Sequence, residues 1–488
     1  MSINRRTKTR RAFIKQSLMT AAIFPLILSS GQNSGSSMAF IDPDAVKKFK
    51  KRFSGKIILP GDAAYEAKRW SNIINPTMDK HPTIIATCQN EEDILRSVDF
   101  ARQHQLEIAV RSGNHSNMGW GTCDKGIVID LSQMKGISVD ASKRTATVST
   151  GATAEEILAA TAPYGLAPVL GQCGSVGAGL ALGGGLGWLS GKYGATCDNL
   201  ILANLITAEA EKWKADATTN EDLFWAIRGG GGNFGIASTF EYRLHPVKEM
   251  LGGTFFYSFD NAKVILRFFN EFMSTAPDEL QADCYLSREN CWVEFVYFGD
   301  LDTGERLLDT FRKFHKPQQD SVKRRPFSEV YNMNFDNQSA PFNFNADKGT
   351  YIEQLSDEVI TLALDRLEKA PRSGSFFYVF SHYMHGEVCR VLPDSTAFEL
   401  RKPGAIHLAF WVTWQDSADT SACLTWHNET FEQLQAFSGG RIYANFMSIP
   451  GGPTAKAVFG NNFTRLAQVK KKYDPHNIFH LNQNILPS

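Results

Sequence analysis

Apolar and polar residues alternate along this chain in two periods, one helical and one extended, broken by glycine-rich stretches. Ala64 to Asn75 reads as a short helix entering the fold, and Ile84-Ile85-Ala86 as a buried strand. Asn90-Glu91-Glu92-Asp93 carries cap-like side chains ahead of an apolar-periodic helix, Ile94 to His104, with Leu95, Val98 and Ala101 on one face. Leu106 to Val110 is the next strand and stops at Arg111-Ser112-Gly113-Asn114-His115-Ser116. Strand, helix, strand and loop make an α/β unit, and loops at strand ends are where such units carry chemistry.

Gly126 to Leu131 and Ile137 to Thr150 alternate like a meander, with the turn at Asp140 to Lys143. Thr153 caps a helix from Ala154 to Tyr164. Leu200 to Ala208 and Ile236 to Leu244 read as strands, and Glu221 to Ile227 as a short helix before a second glycine cluster, RGGGGNFG. From Gly252 to about Arg441 glycine thins and Phe and Tyr rise. Strands such as Cys291 to Phe298 and Phe376 to His382 stand beside a good helix, Ser356 to Lys369. That mixed order predicts an α+β region around an antiparallel sheet.

Composition adds bounds. With 488 residues, 51 acidic and 51 basic, the chain is long enough for two large domains and too neutral to favour a nucleic-acid or membrane-surface partner. The first forty residues read as a targeting segment. Arg5, Arg6, Lys8, Arg10, Arg11 and Lys15 precede an apolar run from Leu18 to Leu28 that is short for a bilayer span. Thr9-Arg10-Arg11-Ala12-Phe13-Ile14-Lys15 resembles the twin-arginine signal, which predicts export of the folded protein to a periplasmic or extracellular location; a basic amphipathic anchor is the alternative. The eight cysteines have no CxxC or zinc spacing, so no metal site is expected, and none is paired from sequence.

The chemistry concentrates between Gly171 and Asn199, GQCGSVGAGLALGGGLGWLSGKYGATCDN. Glycine lets another atom approach the main chain, and exposed N–H groups in such turns cradle anions such as a pyrophosphate. A linker would waste Leu180, Leu182, Leu186, Trp188 and Leu189 in solvent. A dinucleotide fingerprint is a poor match, since GAGLALGGG lacks the GxGxxG spacing.

RSGNHS, the Gly171–Asn199 stretch, DLFWAIRGGGGNFG and YDPHNIFHLNQN together resemble the berberine-bridge-enzyme-like FAD-linked oxidases of the vanillyl-alcohol-oxidase and p-cresol-methylhydroxylase fold. The resemblance implies an α+β protein. Its PCMH-type FAD-binding domain of two subdomains (40–248) would be completed by 442–488, a substrate domain with a large antiparallel sheet (249–441) would cover the flavin, and 1–39 would be the signal. It implies FAD attached twice, through His115 and Cys173; Cys197 is the competing thiol. Gly113, Asn114, Ser116, Gly177, Gly179, Gly183, Gly184 and Gly185 would follow the pyrophosphate and ribityl chain, and Arg111 would be a further cofactor-binding residue. Asp198, Asn199 and Asn482 would be further flavin contacts. Val176 stands where the family gates oxygen, and a valine there resembles the oxygen-accepting members.

Oxidation of an alcohol by a flavin needs a base for the hydroxyl proton. In the family that base is often the tyrosine of a YxN(F/Y) segment, here Tyr443. Tyr378 and His382, which alternation puts on one strand face, would orient the hydroxyl. The implied activity is an exported oxidase acting on a carbohydrate or oligosaccharide hydroxyl, with O2 as acceptor and H2O2 as product, and with no stable membrane insertion after export. Oxidation or cyclisation of a secondary metabolite, a dehydrogenase with another acceptor, and a flavin-bearing recognition protein are the alternatives.

Overall fold

A computed structural model describes residues 41–70, 78–116, 118–333, 344–446 and 455–488. The signal-like segment lies outside the described residues, as does the end of the expected 64–75 helix, of which Tyr65–Arg69 is helical. Three large sheets and a two-stranded one, Leu166–Ala167 with His245–Pro246, build the described chain. The first runs Lys56–Ile58, Ile84–Thr87, Ile127–Asp130, Ile108–Arg111, and all but its first pairing are parallel. Every residue of Ile84–Thr87 and Ile127–Asp130 is buried. The expected meander is therefore wrong for 126–131: a strand buried on both faces is apolar along most of its length and gives no alternation that identifies its partners.

The helix Glu91–Gln103 covers this sheet with Ile94, Val98 and Ala101, and is capped by the Asn90 side chain accepting from Asp93 N–H. The second sheet is antiparallel, in the order Ile137–Asp140, Thr145–Ser149, Ile236–Arg243, Leu200–Ile206, Lys212–Asp216. Here the turn expected at Asp140 joins its two predicted strands.

The third sheet has eight antiparallel strands from residues 249–414. Helices Ala262–Ser274, Leu301–Phe314, Asp357–Glu368 and Thr420–Gln435 bury one of its faces through Phe255, Leu280, Cys284, Phe295, Phe380 and Phe410. Side chains alternate across a strand, so the intervening residues form the opposite face. Register aligns them in rows. Phe377, Trp411 and Asp347 form one row, and Trp292, Tyr285, Val379 and Ala409 the next. Glu294 and Asp283 sit opposite each other in a third.

The carboxyl-terminal helix Phe463–Tyr473 returns to the first half of the chain, where Tyr473 and Lys472 bond Asp222. Its Lys470 is fully buried and donates to Asn233 O, Phe479 O and Asp474 at 2.8, 2.9 and 2.6 Å. A buried ammonium is tolerated because all three of its donors are satisfied. This one residue pins the RGGGGNFG loop to Phe479, just ahead of the HLNQN segment.

Candidate active site

Between these sheets lies a cavity of about 560 Å3, and the motif loops converge on it. Residues 112–116 follow the carboxyl end of the parallel strand Ile108–Arg111, the usual position for a ligand crevice in such sheets. The Cys173 turn is held by the helix Ala154–Thr161. Its first N–H groups have no intrahelical acceptor, and those of Ala154 and Glu155 donate to Val176 O and Gly174 O at 2.9 and 2.8 Å. A capping box between Thr153 and Glu156 fixes the same helix end.

These two loops bring the proposed tethers together through Ser175. Its Oγ lies 2.8 Å from His115 Nε2 and 3.3 Å from Cys173 Sγ. Burial holds the His115 imidazole below its ordinary pKa, against the opposing effect of Ser175, so the neutral ring is favoured near pH 7. When Nε2 carries the proton donated to Ser175, the lone pair resides on Nδ1. Cys173 is partly exposed on the cavity wall, whereas Cys197 is fully buried, packed with Leu186, Phe398 and Tyr443 and absent from that wall. Burial raises the Cys197 thiol well above its usual pKa.

The glycines divide into two groups. Gly113, Gly177, Gly179 and Gly183 line the cavity with Asn114, Ser116 and Val176. A Cβ on Gly177 would collide with Ser112 Oγ and Gly113 N, and one on Gly183 with Asn445 Oδ1, so these backbones approach too closely for any side chain. Gly184 and Gly185 do not line it. They take φ of +108° and +82° against Phe398 and Thr196, turning the chain beneath the cradle. Asp198 and Asn199 are likewise absent from the cavity lining. Asp198 forms a buried ion pair with Arg401 at 2.7 Å, and Asn199 donates to Tyr193 O and Ala195 O and bonds His245. Arg111 reaches the cavity rim, but its guanidinium is neutralised by Asp130 at 2.8 Å. Asn482 lines the cavity and donates to Gly232 O at 3.1 Å.

The outward face of the third sheet supplies the facing wall: Asp283, Tyr285, Asp347, Val379, Ser381, His382 and Trp411, joined by Asn445 and Phe446. Tyr378 is not part of it. It faces the helices, fully buried beside Phe410 and Trp426. The shared face expected for Tyr378 and His382 fails because the strand ends at Ser381 and His382 takes φ +52°, which breaks the alternation and brings it to the cavity. Tyr443 does not line the cavity either. It is buried behind the wall, and its hydroxyl accepts from Gly185 N–H at 3.2 Å and Asn445 Nδ2 at 3.0 Å. Burial raises that phenol's pKa further. Ser175, Asp347, Asp283 and Trp411 escaped the motif reading; the polar alternation of FNADKGTYI was the available signal for Asp347.

Residues 82–215 match the family model for an FAD binding domain, and residues 442–486 the one for berberine and berberine-like proteins. An FAD-linked oxidoreductase of Dictyostelium discoideum is 30% identical over 450 residues, covering 91% of this chain and 97% of that one. The chain is a berberine-bridge-enzyme-like FAD-linked oxidoreductase. (R)-6-hydroxynicotine oxidase of Paenarthrobacter nicotinovorans is 28% identical to this oxidoreductase over 465 residues, covering 89% and 97% of the two chains. The solved 6-hydroxy-D-nicotine oxidase of Arthrobacter nicotinovorans superposes with a TM-score of 0.81 at 27% identity, covering 89% and 98%. A xylooligosaccharide oxidase of Myceliophthora thermophila shares the fold at a TM-score of 0.78 and 20% identity, covering 91% and 99%. FAD suits the cradle of the oxidoreductase: two glycine loops too close for side chains, with a wall of aromatic and polar side chains opposite.

Proposed function

We propose that this oxidoreductase carries FAD bonded to both His115 and Cys173 and oxidises a substrate hydroxyl with O2, releasing H2O2. The Ser175 bridge carries the reading, because it holds an imidazole and a thiol on adjoining loops at one end of the cavity. FAD, when bound, takes up the two electrons and the hydrogen leaving the substrate carbon and passes them to O2. The chain's own part is to hold the ring through the two tethers, to cradle the phosphates on Gly113 and Gly177 to Gly183, and to seat the substrate against the sheet. Val176 lines the cavity beside the tether, and its resemblance to the gate residue of the oxygen-accepting members supports O2 as acceptor.

A carbohydrate or oligosaccharide is the substrate class favoured. Trp411 and Tyr285 offer flat faces for a sugar ring, while Asp283, Asp347 and Asn445 offer acceptors and donors for its hydroxyls. A small aromatic alcohol is the second reading, favoured by Val379 and Phe446 in the same wall and by the nicotine-type substrate in the name of the 28% identical relative. Arg10-Arg11 supports export of the folded flavoprotein, and no helix among the described residues is long and apolar enough to cross a membrane. Peroxide release over a panel of sugars and aromatic alcohols tests the activity. Cell fractionation of an Arg10→Lys/Arg11→Lys variant tests the route, with retention in the cytoplasm expected.

A further inference from the structure

We propose that Asp347 is the base that takes the hydroxyl proton of the substrate, the role the YxN tyrosine would fill by resemblance; this rests on the reading that the site oxidises a hydroxyl. Asp347 is only 8% exposed and lines the cavity from the row Phe377, Trp411, Asp347. Its Oδ2 accepts from Trp411 Nε1 at 3.0 Å. Its Oδ1 has no hydrogen-bond partner among the described residues. A buried acceptor left unpaired is costly, so one retained on a cavity wall calls for an occupant that donates to it. A substrate hydroxyl is such a donor.

The other groups on or near this wall are less suited. Tyr443 has its hydroxyl engaged by two N–H donors and stands behind the wall. Asp283 already accepts from the His382 backbone N–H at 3.3 Å, and Tyr285 donates to Glu294 at 3.1 Å. His382 presents an unpaired Nδ1, but burial pushes its pKa down to about 3, which makes it a weak base. Burial pushes Asp347 up to about 7, which matches a general base working near neutrality.

No ion pair engages Asp347 among the described residues. The titratable groups on the rows around it are His407 and Tyr351, with Asp283, Tyr285 and His382 across the wall and His115 and Cys173 on the tether side. Lys348, the next residue, points to the helix side and bonds Asn428. In the step itself the O–H proton passes to Asp347 and the O–H bonding pair becomes the second bond of the carbonyl, while the C–H hydrogen would leave with its pair to the bound flavin. Dioxygen would take up that hydrogen with its two electrons, together with the proton that Asp347 releases, to give H2O2. Trp411 is the positioning residue, fixing the carboxylate so that Oδ1 faces the substrate.

The test uses the flavin-loaded full chain and its Asp347→Asn, Trp411→Phe and Tyr443→Phe variants, with cellobiose and 4-hydroxybenzyl alcohol as probes. Flavin content and denatured-state absorbance report the tethers independently of turnover. Anaerobic flavin reduction is followed from pH 5.5 to 9, and infrared difference spectra follow buried carboxyl groups over the same range. Asp347→Asn is expected to keep its flavin, to lose about 100-fold in flavin reduction, and to lose both the rise through neutral pH and a protonated-carboxyl band. Trp411→Phe is expected to keep that rise with its midpoint displaced. Flavin reduction within threefold of wild type in Asp347→Asn, or an unchanged carboxyl band, overturns the proposal. If neither probe reduces wild-type flavin, the hydroxyl-oxidase reading fails for these classes, while the infrared titration still decides whether Asp347 is the group that gains and loses the proton.

Discussion

His115 and Ser175 meet at 2.8 Å, Nε2 to Oγ, across two loops sixty residues apart in the chain. The contact holds the imidazole on the cavity wall and assigns the proton to Nε2 whenever Ser175 accepts. Ser175→Ala removes that orientation without touching either tether. Losing about 1 kcal/mol of net hydrogen bonding corresponds to a several-fold slower attachment of flavin. Time-resolved incorporation of FAD into apoprotein measures it, with complete tethering still reached at long times.

The two competing cysteines make opposite predictions. Cys173→Ala leaves a protein with one bond to flavin, because its thiol is the one on the cavity wall. Cys197→Ala leaves both bonds and costs about 1 kcal/mol of stability through a small void beside Leu186 and Phe398. Absorbance of acid-denatured protein and thermal denaturation separate these outcomes.

Tyr443→Phe removes a buried acceptor for Gly185 and Asn445 N–H groups, which costs about 1–3 kcal/mol. Turnover is expected to stay within a few-fold of wild type, since the hydroxyl is not on the cavity wall. Steady-state peroxide release and melting temperature measure the two effects side by side.

Local chemistry was legible wherever sequence and geometry coincide. The Thr153 cap and the Glu221–Ile227 helix stand where the residues imply, because caps and tight turns depend on neighbours in the chain, and the His115 and Cys173 loops line the cavity. Asp198 and Asn199 misled because a motif residue that braces a turn is written no differently from one that touches a ligand; only the Arg401 side chain, 203 positions away, decides between them. Asp347 went unnoticed because its meaning is set by Trp411 on the adjacent strand and by the side of the sheet that the helices leave open. His382 depended on a positive φ at a strand end, which no periodicity reports.

Removing Arg401 leaves Asp198 buried and uncompensated. Arg401→Met is expected to lose about 3–5 kcal/mol of stability. Because neither residue lines the cavity, the bonds to flavin are expected to form in the fraction that folds. Calorimetry and flavin stoichiometry check the pair of outcomes.

Asp347 also makes stability depend on pH. Its carboxyl is ordinarily half-ionised at 3.8 and is raised to about 7 in the fold. Between those values the native state holds the proton more tightly than the unfolded chain, so stability falls as pH rises from about 4 towards 7. Above pH 7 the loss levels off at a few kcal/mol, on the order of 1.4 kcal/mol per pKa unit. Asp347→Asn therefore gains in melting temperature over wild type at pH 8 and gains little at pH 4, a comparison that calorimetry makes directly.

Mass analysis of proteolytic peptides from the flavin-loaded protein tests the central claim. The account predicts that flavin mass links the His115-bearing peptide to the Cys173-bearing one, with the Cys197 peptide unmodified. Flavin that dissociates completely on denaturation, or flavin carried on the Cys197 peptide, would contradict it.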